Sequence, residues 1–308
     1  MDEVVYRVTN NPITSQVAGM VIAAMYGSLG DVPLRVQPAG IDSLEPSYPC
    51  VGGTALYSLY GVGSSNSNWT AHLTDSQLLF DQLDNISGVS PSDNDFHISW
   101  DHYFDNLSSR LCHSKPLPCN ANDTVTCVTD AQAASVFRLG LYEYSYIYRS
   151  TPLSLHASIA SYGIYVAELA QNMRDSISGS LVKYRHNVAH DGSLAMLLSI
   201  LQVDEVVWPG LGAEIVFEIY SKTTDGDGKR WVRILWGGVL LRSSYPKLGT
   251  VDMIPLETLL EYFDQLVGLG ASRVPELCVQ MPPSPGSGTG QRVNFCVDCG
   301  EEYGLGDA

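Results

Sequence analysis

Apolar residues along this chain change their spacing several times, and each change marks an element. Val4-Val5-Tyr6-Arg7-Val8-Thr9 is rich in β-branched and aromatic side chains, which predicts a first strand. Asn10-Asn11-Pro12 breaks it. Ile13, Val17, Met20, Val21 and Ala24 then recur at helical spacing, and Tyr26-Gly27 closes the helix. Val32-Pro33-Leu34-Arg35-Val36 reads as a short strand whose proline suits an edge or a strand start. Strand, helix, strand at this spacing opens an α/β unit.

From residue 41 to about 130 the periodicity weakens, and Ser, Asn, Asp, Gly and Cys become frequent. Short helices are expected around 75–83 and 97–111, in an inserted cap rather than a core sheet. Thr129-Asp130 can cap a helix that runs through Phe137 to Tyr148, where Tyr142, Tyr144, Tyr146 and Tyr148 read as core or interface. Pro152 starts a long helix with Leu155, Ile159, Tyr162, Val166, Leu169 and Met173 on one face, and Gly179 ends it. A strand through Tyr184-Arg185-His186-Asn187-Val188 follows, then an apolar helix to about Leu201. Residues 213–220 alternate polar and apolar, Asp225-Gly226-Asp227-Gly228 turns the chain, and residues 230–236 return as a hairpin. Pro255 begins a helix through Leu259, Leu260, Phe263, Leu266 and Val267. Beyond Cys278 the composition is that of a flexible tail, and no internal repeat is present.

The expected organisation is an α/β core from residues 1–40 and 180–278, a mainly helical cap with core-flanking helices over 41–179, and a tail over 279–308. A 45% hydrophobic fraction over 308 residues is ample for a packed core. The net charge of −16 argues against a nucleic-acid binder and against adhesion to an anionic membrane. No run of about 18 apolar residues suggests a membrane span, and no leader is visible at Met1. Four Asn-x-Ser/Thr sequons, at Asn68, Asn85, Asn106 and Asn122, lie beside clustered cysteines and favour a secreted glycoprotein. The seven cysteines leave at least one thiol free or paired outside this chain.

Most short motifs carry no chemistry. Cys296-Val297-Asp298-Cys299 has no further zinc ligands near it and reads as a disulfide in the tail. Gly286-Ser287-Gly288-Thr289-Gly290 lies between no strand and helix, so it is linker composition. The Asp-Gly repeat lacks a downstream glutamate at calcium-loop spacing. No Gly-x-Ser-x-Gly elbow occurs. No metal or cofactor is expected.

His190-Asp191 differs, because it falls where a strand stops and a helix begins. A helix N-terminus offers free N–H groups and partial positive charge, and a histidine with an acid can bind an oxyanion and deliver a proton. The alternative is a turn and an N-cap. Arg7 lies near the C-terminal end of the first strand, where open α/β sheets bind ligands, and an arginine there can grip phosphate; a surface ion pair is the alternative. His186, inside the strand, reads as packing.

Ala189-His190-Asp191-Gly192-Ser193 before an apolar helix, Arg7-Val8-Thr9-Asn10 at the front, Trp208-Pro209 with the strands that follow it, and Pro255-Leu256-Glu257 with Phe263 resemble the histidine acid phosphatases. These form the second branch of the histidine phosphatase superfamily, and the likeness is greatest to fungal phosphoglycerate-mutase-like members. It covers roughly residues 4–278. It implies a three-layer α/β core with a mixed, mostly parallel sheet and a helical cap. It also implies phosphate monoester hydrolysis through a phosphohistidine. By position, Arg7 and His190 would hold phosphate and Asp191 would donate a proton. The chain departs from the pattern in two places. The Arg-His-Gly-x-Arg-x-Pro motif that carries the nucleophile is absent, and Ile13 stands where a second arginine is usual. A truncated phosphatase with a gapped sheet, or a non-catalytic relative that binds phosphorylated ligands, is expected. Substrate and oligomeric state stay open.

Overall fold

A computed structural model describes residues 3–27, 32–63, 66–221 and 229–279. The elements run β1 (Val4–Val8), α1 (Pro12–Tyr26), β2 (Leu34–Val36), α2 (Val51–Tyr60), α3 (Ser67–Asp75), α4 (Gln77–Ser87), α5 (Asn94–His97), α6 (Asp101–Cys112), α7 (Asp130–Tyr148) and α8 (Pro152–Ile177). They continue with β3 (Tyr184–Val188), α9 (Asp191–Ile200), β4 (Ile215–Ser221), β5 (Arg230–Trp236), β6 (Val239–Leu240), β7 (Ile254–Pro255), α10 (Leu256–Val267) and α11 (Val274–Val279).

The punctuation of the chain sets the helix ends. Asn11 accepts the Ile13 N–H before Pro12 at the first helical position, and Gly27 closes α1 in the left-handed conformation (φ 75°). Thr129 and Gln132 form a reciprocal capping box at the start of α7. Thr151 accepts from Leu153 and Ser154 ahead of Pro152 in α8. The cap holds more helix than its polar composition suggests. Asn66 and Asp93 accept backbone N–H groups and start α3 and α5.

The parallel and antiparallel strands are divided between two sheets. In the first, β1 lies between β2 and β3, parallel to both. In the second, β4, β6 and β7 each pair antiparallel with β5. Alternation along β1 gives the parallel sheet two chemically different faces. Tyr6 turns toward α1, where its hydroxyl reaches Met25 Sδ at 3.3 Å. His186, its register partner, packs 5.7 Å from the Tyr6 ring and bonds Tyr184. Arg7 turns the other way, toward α8. The result is a helix–sheet–helix stack.

The main core gathers α8, α9, α10 and β5 around Tyr162, Val166, Leu198, Leu201, Val232 and Phe263, all fully buried. A second apolar cluster sits in the cap around Phe80, Trp100, Phe104 and Val136, and Trp208 joins it from beyond α9. The four sequon asparagines are exposed on or beside cap helices. No helix among the described residues is long and apolar enough to cross a membrane. The 225–228 turn, the glycine-rich segment and Cys296-Cys299 lie outside the described residues.

Cys50 is bonded to Cys278 and Cys119 to Cys127, while Cys112 is free and exposed. The first bridge joins α2 to α11 across 228 residues of sequence. A crosslink over so long a loop restricts the unfolded chain strongly. Replacing both Cys50 and Cys278 with Ala is expected to cost about 2–5 kcal/mol; an unchanged urea midpoint would show the bridge to be energetically idle.

Gly140 on α7 makes room for stacked rings. A Cβ there would meet the Phe104 ring and lie 3.0 Å from Trp208. Trp208 lies flat between Phe104 (centroids 3.9 Å) and Tyr144 (4.1 Å). Gly140→Ala is expected to destabilise the protein by about 1–3 kcal/mol, since the overpacked stack must move. A thermal melt checks this, and a variant as stable as the parent would contradict it.

Candidate functional site at the His190-Asp191 turn

Parallel pairing of β1 with β3 brings Val8 opposite Val188, so the two strands end side by side. The residues just beyond them meet. Thr9, fully buried, places its hydroxyl 3.1 Å from His190 Nε2 and 3.1 Å from the Thr14 hydroxyl. Glu45 approaches His190 Nε2 at 3.7 Å from the loop after β2. The His190 side chain is 29% exposed, so solvent reaches it.

His190 occupies the N-cap position of α9 in an extended conformation, but its side chain makes no capping bond. Asp191 is the first helical residue. Its Oδ1 accepts the Gly192 N–H at 2.7 Å. Its Oδ2 accepts from the Tyr144 hydroxyl at 2.8 Å and from Trp208 Nε1 at 2.6 Å. His190 is therefore not spent on the helix end, whereas Asp191 uses one oxygen there and gives the other to Tyr144 and Trp208. Tyr144 and Trp208 fix the carboxylate from α7 and from the loop after α9. The tyrosine ladder and the Trp-Pro segment were both visible in the sequence, yet nothing there aimed either at Asp191.

Arg7 lies on the adjoining strand but addresses a different set of groups. Its Nη1 donates to Glu168 at 2.7 Å, and its Nη2 donates to Asp42 at 3.0 Å, to Ser43 at 2.9 Å and to Gln37. Burial alone would lower its pKa, but the two carboxylates outweigh burial and raise it. Its Nε is buried and without a partner. The loop carrying Asp42, Ser43 and Glu45 joins the Arg7 network to His190.

The remaining electrostatics are acidic. Asp101 and Asp105, at (i, i+4) on α6, face Asp191. Burial raises both their pKa values; at Asp101 the neighbouring His102 opposes it and Asp191 adds a smaller push, while at Asp105 the Asp101 charge and then Asp191 add to burial against a smaller opposing effect of His102. Tyr144 and Tyr148 are pushed well above the usual phenol range, chiefly by burial and then by neighbouring phenols and carboxylates. Tyr144 therefore donates to Asp191 as a neutral phenol. No group of three or more metal-ligating side chains forms among the described residues.

A carboxyl whose pKa rises on folding binds its proton more tightly in the folded state. The stability it contributes is present below its unfolded pKa and lost as pH rises through the folded value. At neutral pH the Asp105 charge is therefore a penalty. Asp105→Asn is expected to raise Tm at pH 7, with the gap over the parent closing as pH falls toward about 3, below the ordinary Asp value. A constant gap across that range would mean that charge is not the cause.

No protein-family model matches the sequence, and no curated protein is detectably similar to it. Solved structures do share its architecture. The phytase of Citrobacter braakii aligns over 91% of this chain and 81% of its own, at 14% identity and a TM-score of 0.58. Hafnia alvei phytase in complex with myo-inositol hexakis sulphate aligns over 88% of this chain and 80% of its own, at 14% identity and 0.57. The phytase of Klebsiella sp ASR1 aligns over 88% of this chain and 77% of its own, at 14% identity and 0.55. The α/β fold implied by the likeness to the histidine acid phosphatases is thus the fold this chain adopts, and it is the fold of these phytases.

Proposed function

We propose that this is an acid phosphatase-like protein whose His190-Asp191 centre takes a phosphate monoester. The observation that carries the reading is the pair itself. A partly exposed histidine, anchored by Thr9, and a carboxyl, anchored by Tyr144 and Trp208, stand together where a strand gives way to a helix N-terminus. The fold is one that phytases use.

In this reading His190 donates to a phosphoryl oxygen, and the α9 N-terminus adds its partial positive charge. Asp191 passes a proton to the leaving oxygen as the P–O bond breaks, which is the assistance phosphoryl transfer requires of an acid. Arg7 supplies the neighbouring cation, and its unpaired Nε is the donor left for an anion once Glu168 and Asp42 are served. In a complete member of the family a histidine nucleophile forms the phosphohistidine. Inositol polyphosphates, sugar phosphates and phosphoproteins are all compatible substrates. Two disulfides and four exposed sequon asparagines suit a secreted glycoprotein.

A second reading has its own support. These 308 residues contain no Arg-His-Gly-x-Arg-x-Pro motif, and Ile13 replaces a phosphate-holding arginine. The chain by itself is then a binder of phosphorylated ligands. Incubated with an aryl phosphate at acidic pH, the purified 308-residue chain is expected to show no saturable hydrolysis. Saturable hydrolysis that Asp191→Asn abolishes would instead establish it as an enzyme with Asp191 as proton donor. Hydrolysis that survives Asp191→Asn would remove Asp191 from that role.

A further inference from the structure

The sheet face turned toward α8 carries three arginines. Arg7 and Arg35 are register partners, and Arg185 stands opposite Val5 on the far side of β1. All three line one cavity of about 350 Å³ between the sheet and α8. Gln171, Asn172 and Asn187 bring side-chain amides to the same wall, and Glu168 is the one carboxylate lining it among the described residues.

The three cations are not equivalent. Arg7 is neutralised by Asp42 and Glu168. Among the described residues the guanidinium groups of Arg35 and Arg185 have neither a hydrogen bond nor an ion pair within 4.0 Å. Burial lowers the Arg185 pKa, and the nearby Arg35 charge lowers it further, against a smaller opposing effect of Asp175. Two like charges thus border one groove, Arg185 partly buried there, and neither has a direct ion-pair partner among the described residues. In a chain of net charge −16 that arrangement is costly unless an anion completes it.

The groove is centred away from the His190-Asp191 pair, although Arg7 borders both. Arg185 precedes His190 by five residues of extended chain, about 16 Å along the strand direction. The surroundings also differ in sign. Glu45, Asp191, Asp101 and Asp105 crowd the histidine end, whereas the groove presents arginines and amides. The cavity lies at the small end of ligand-site volumes, which suits a small molecule rather than a protein segment. Arginine forks and amide N–H groups match the tetrahedral oxygens of a phosphate-type ion.

We propose that this groove is a second anion site, in which Arg35 and Arg185 grip a phosphate-type dianion and the amides of Gln171, Asn172 and Asn187 donate to its remaining oxygens. The proposal stands independently of the function assigned to His190 and Asp191.

Calorimetric titration of the 308-residue chain with inorganic phosphate, and separately with phenyl phosphate, tests it. Saturable binding is expected, weakened at least tenfold in Arg35→Gln and in Arg185→Gln, and retained in His190→Ala. Each arginine variant is read separately beside its far-UV spectrum and Tm, and Arg35, exposed on the edge strand, is free to change without disturbing the core. Binding of inorganic phosphate alone assigns the free ion as ligand, whereas binding of both probes assigns the phosphate group of a larger molecule. Absence of binding by the parent chain overturns the proposal. So does binding that disappears in His190→Ala while folded Arg35→Gln and Arg185→Gln bind normally.

Discussion

Parallel pairing of β1 with β3 is the constraint on which the rest of the structure depends. Five register pairs, from Val4 opposite Tyr184 to Val8 opposite Val188, fix where both strands stop. Because they stop together, Thr9 and His190 meet although 181 residues separate them. A slip of one residue would do more than shift that contact. It would exchange the two faces of β3, sending His186 toward α8 and Arg185 toward α1. Both the histidine centre and the arginine groove rest on one register.

The two ends of this sheet have opposite electrostatic characters. At the C-terminal end, four carboxylates from three places in the chain gather near the His190-Asp191 turn: Glu45 from a loop, Asp101 and Asp105 from α6, and Asp191 from α9. Burying such acids costs folding energy and their mutual repulsion adds to it, as the raised pKa values of Asp101 and Asp105 record. Tyr144 and Trp208 offset part of that cost at Asp191 by donating to it. On the α8 face the imbalance is reversed, and Arg35 and Arg185 have no hydrogen-bond or ion-pair partner among the described residues.

An aromatic stack ties the cap into this arrangement. Phe104 of α6, Trp208 of the post-α9 loop and Tyr144 of α7 lie face on face, and two of the three donate to Asp191. The stack belongs to the cap's apolar cluster, so cap packing and the position of the acid are mechanically one system. Gly140 is what lets the rings approach α7 so closely.

The sequence by itself determined most elements of the core, the long helices and the candidate pair, but not α2, α5 or α11. Asn11-Pro12 with Gly27, Thr129 with Gln132, and Thr151-Pro152 are local signals, because capping is satisfied within four residues of chain. The strand into His190-Asp191 and the apolar helix after it were legible for the same reason: periodicity and helix starts are short-range properties. Only the tertiary structure decided the partners. That Tyr144 and Trp208 would hold Asp191, that Thr9 would meet His190, and that Arg7 would be engaged by Asp42 and Glu168 are contacts between residues 17 to 181 positions apart. Such contacts follow from strand register and helix packing, which no local pattern encodes. Arg35 and Arg185 show the limit most clearly. Each looks like an ordinary strand arginine in sequence, and only the parallel pairing of their strands with β1 turns both to one face and leaves them together over a groove.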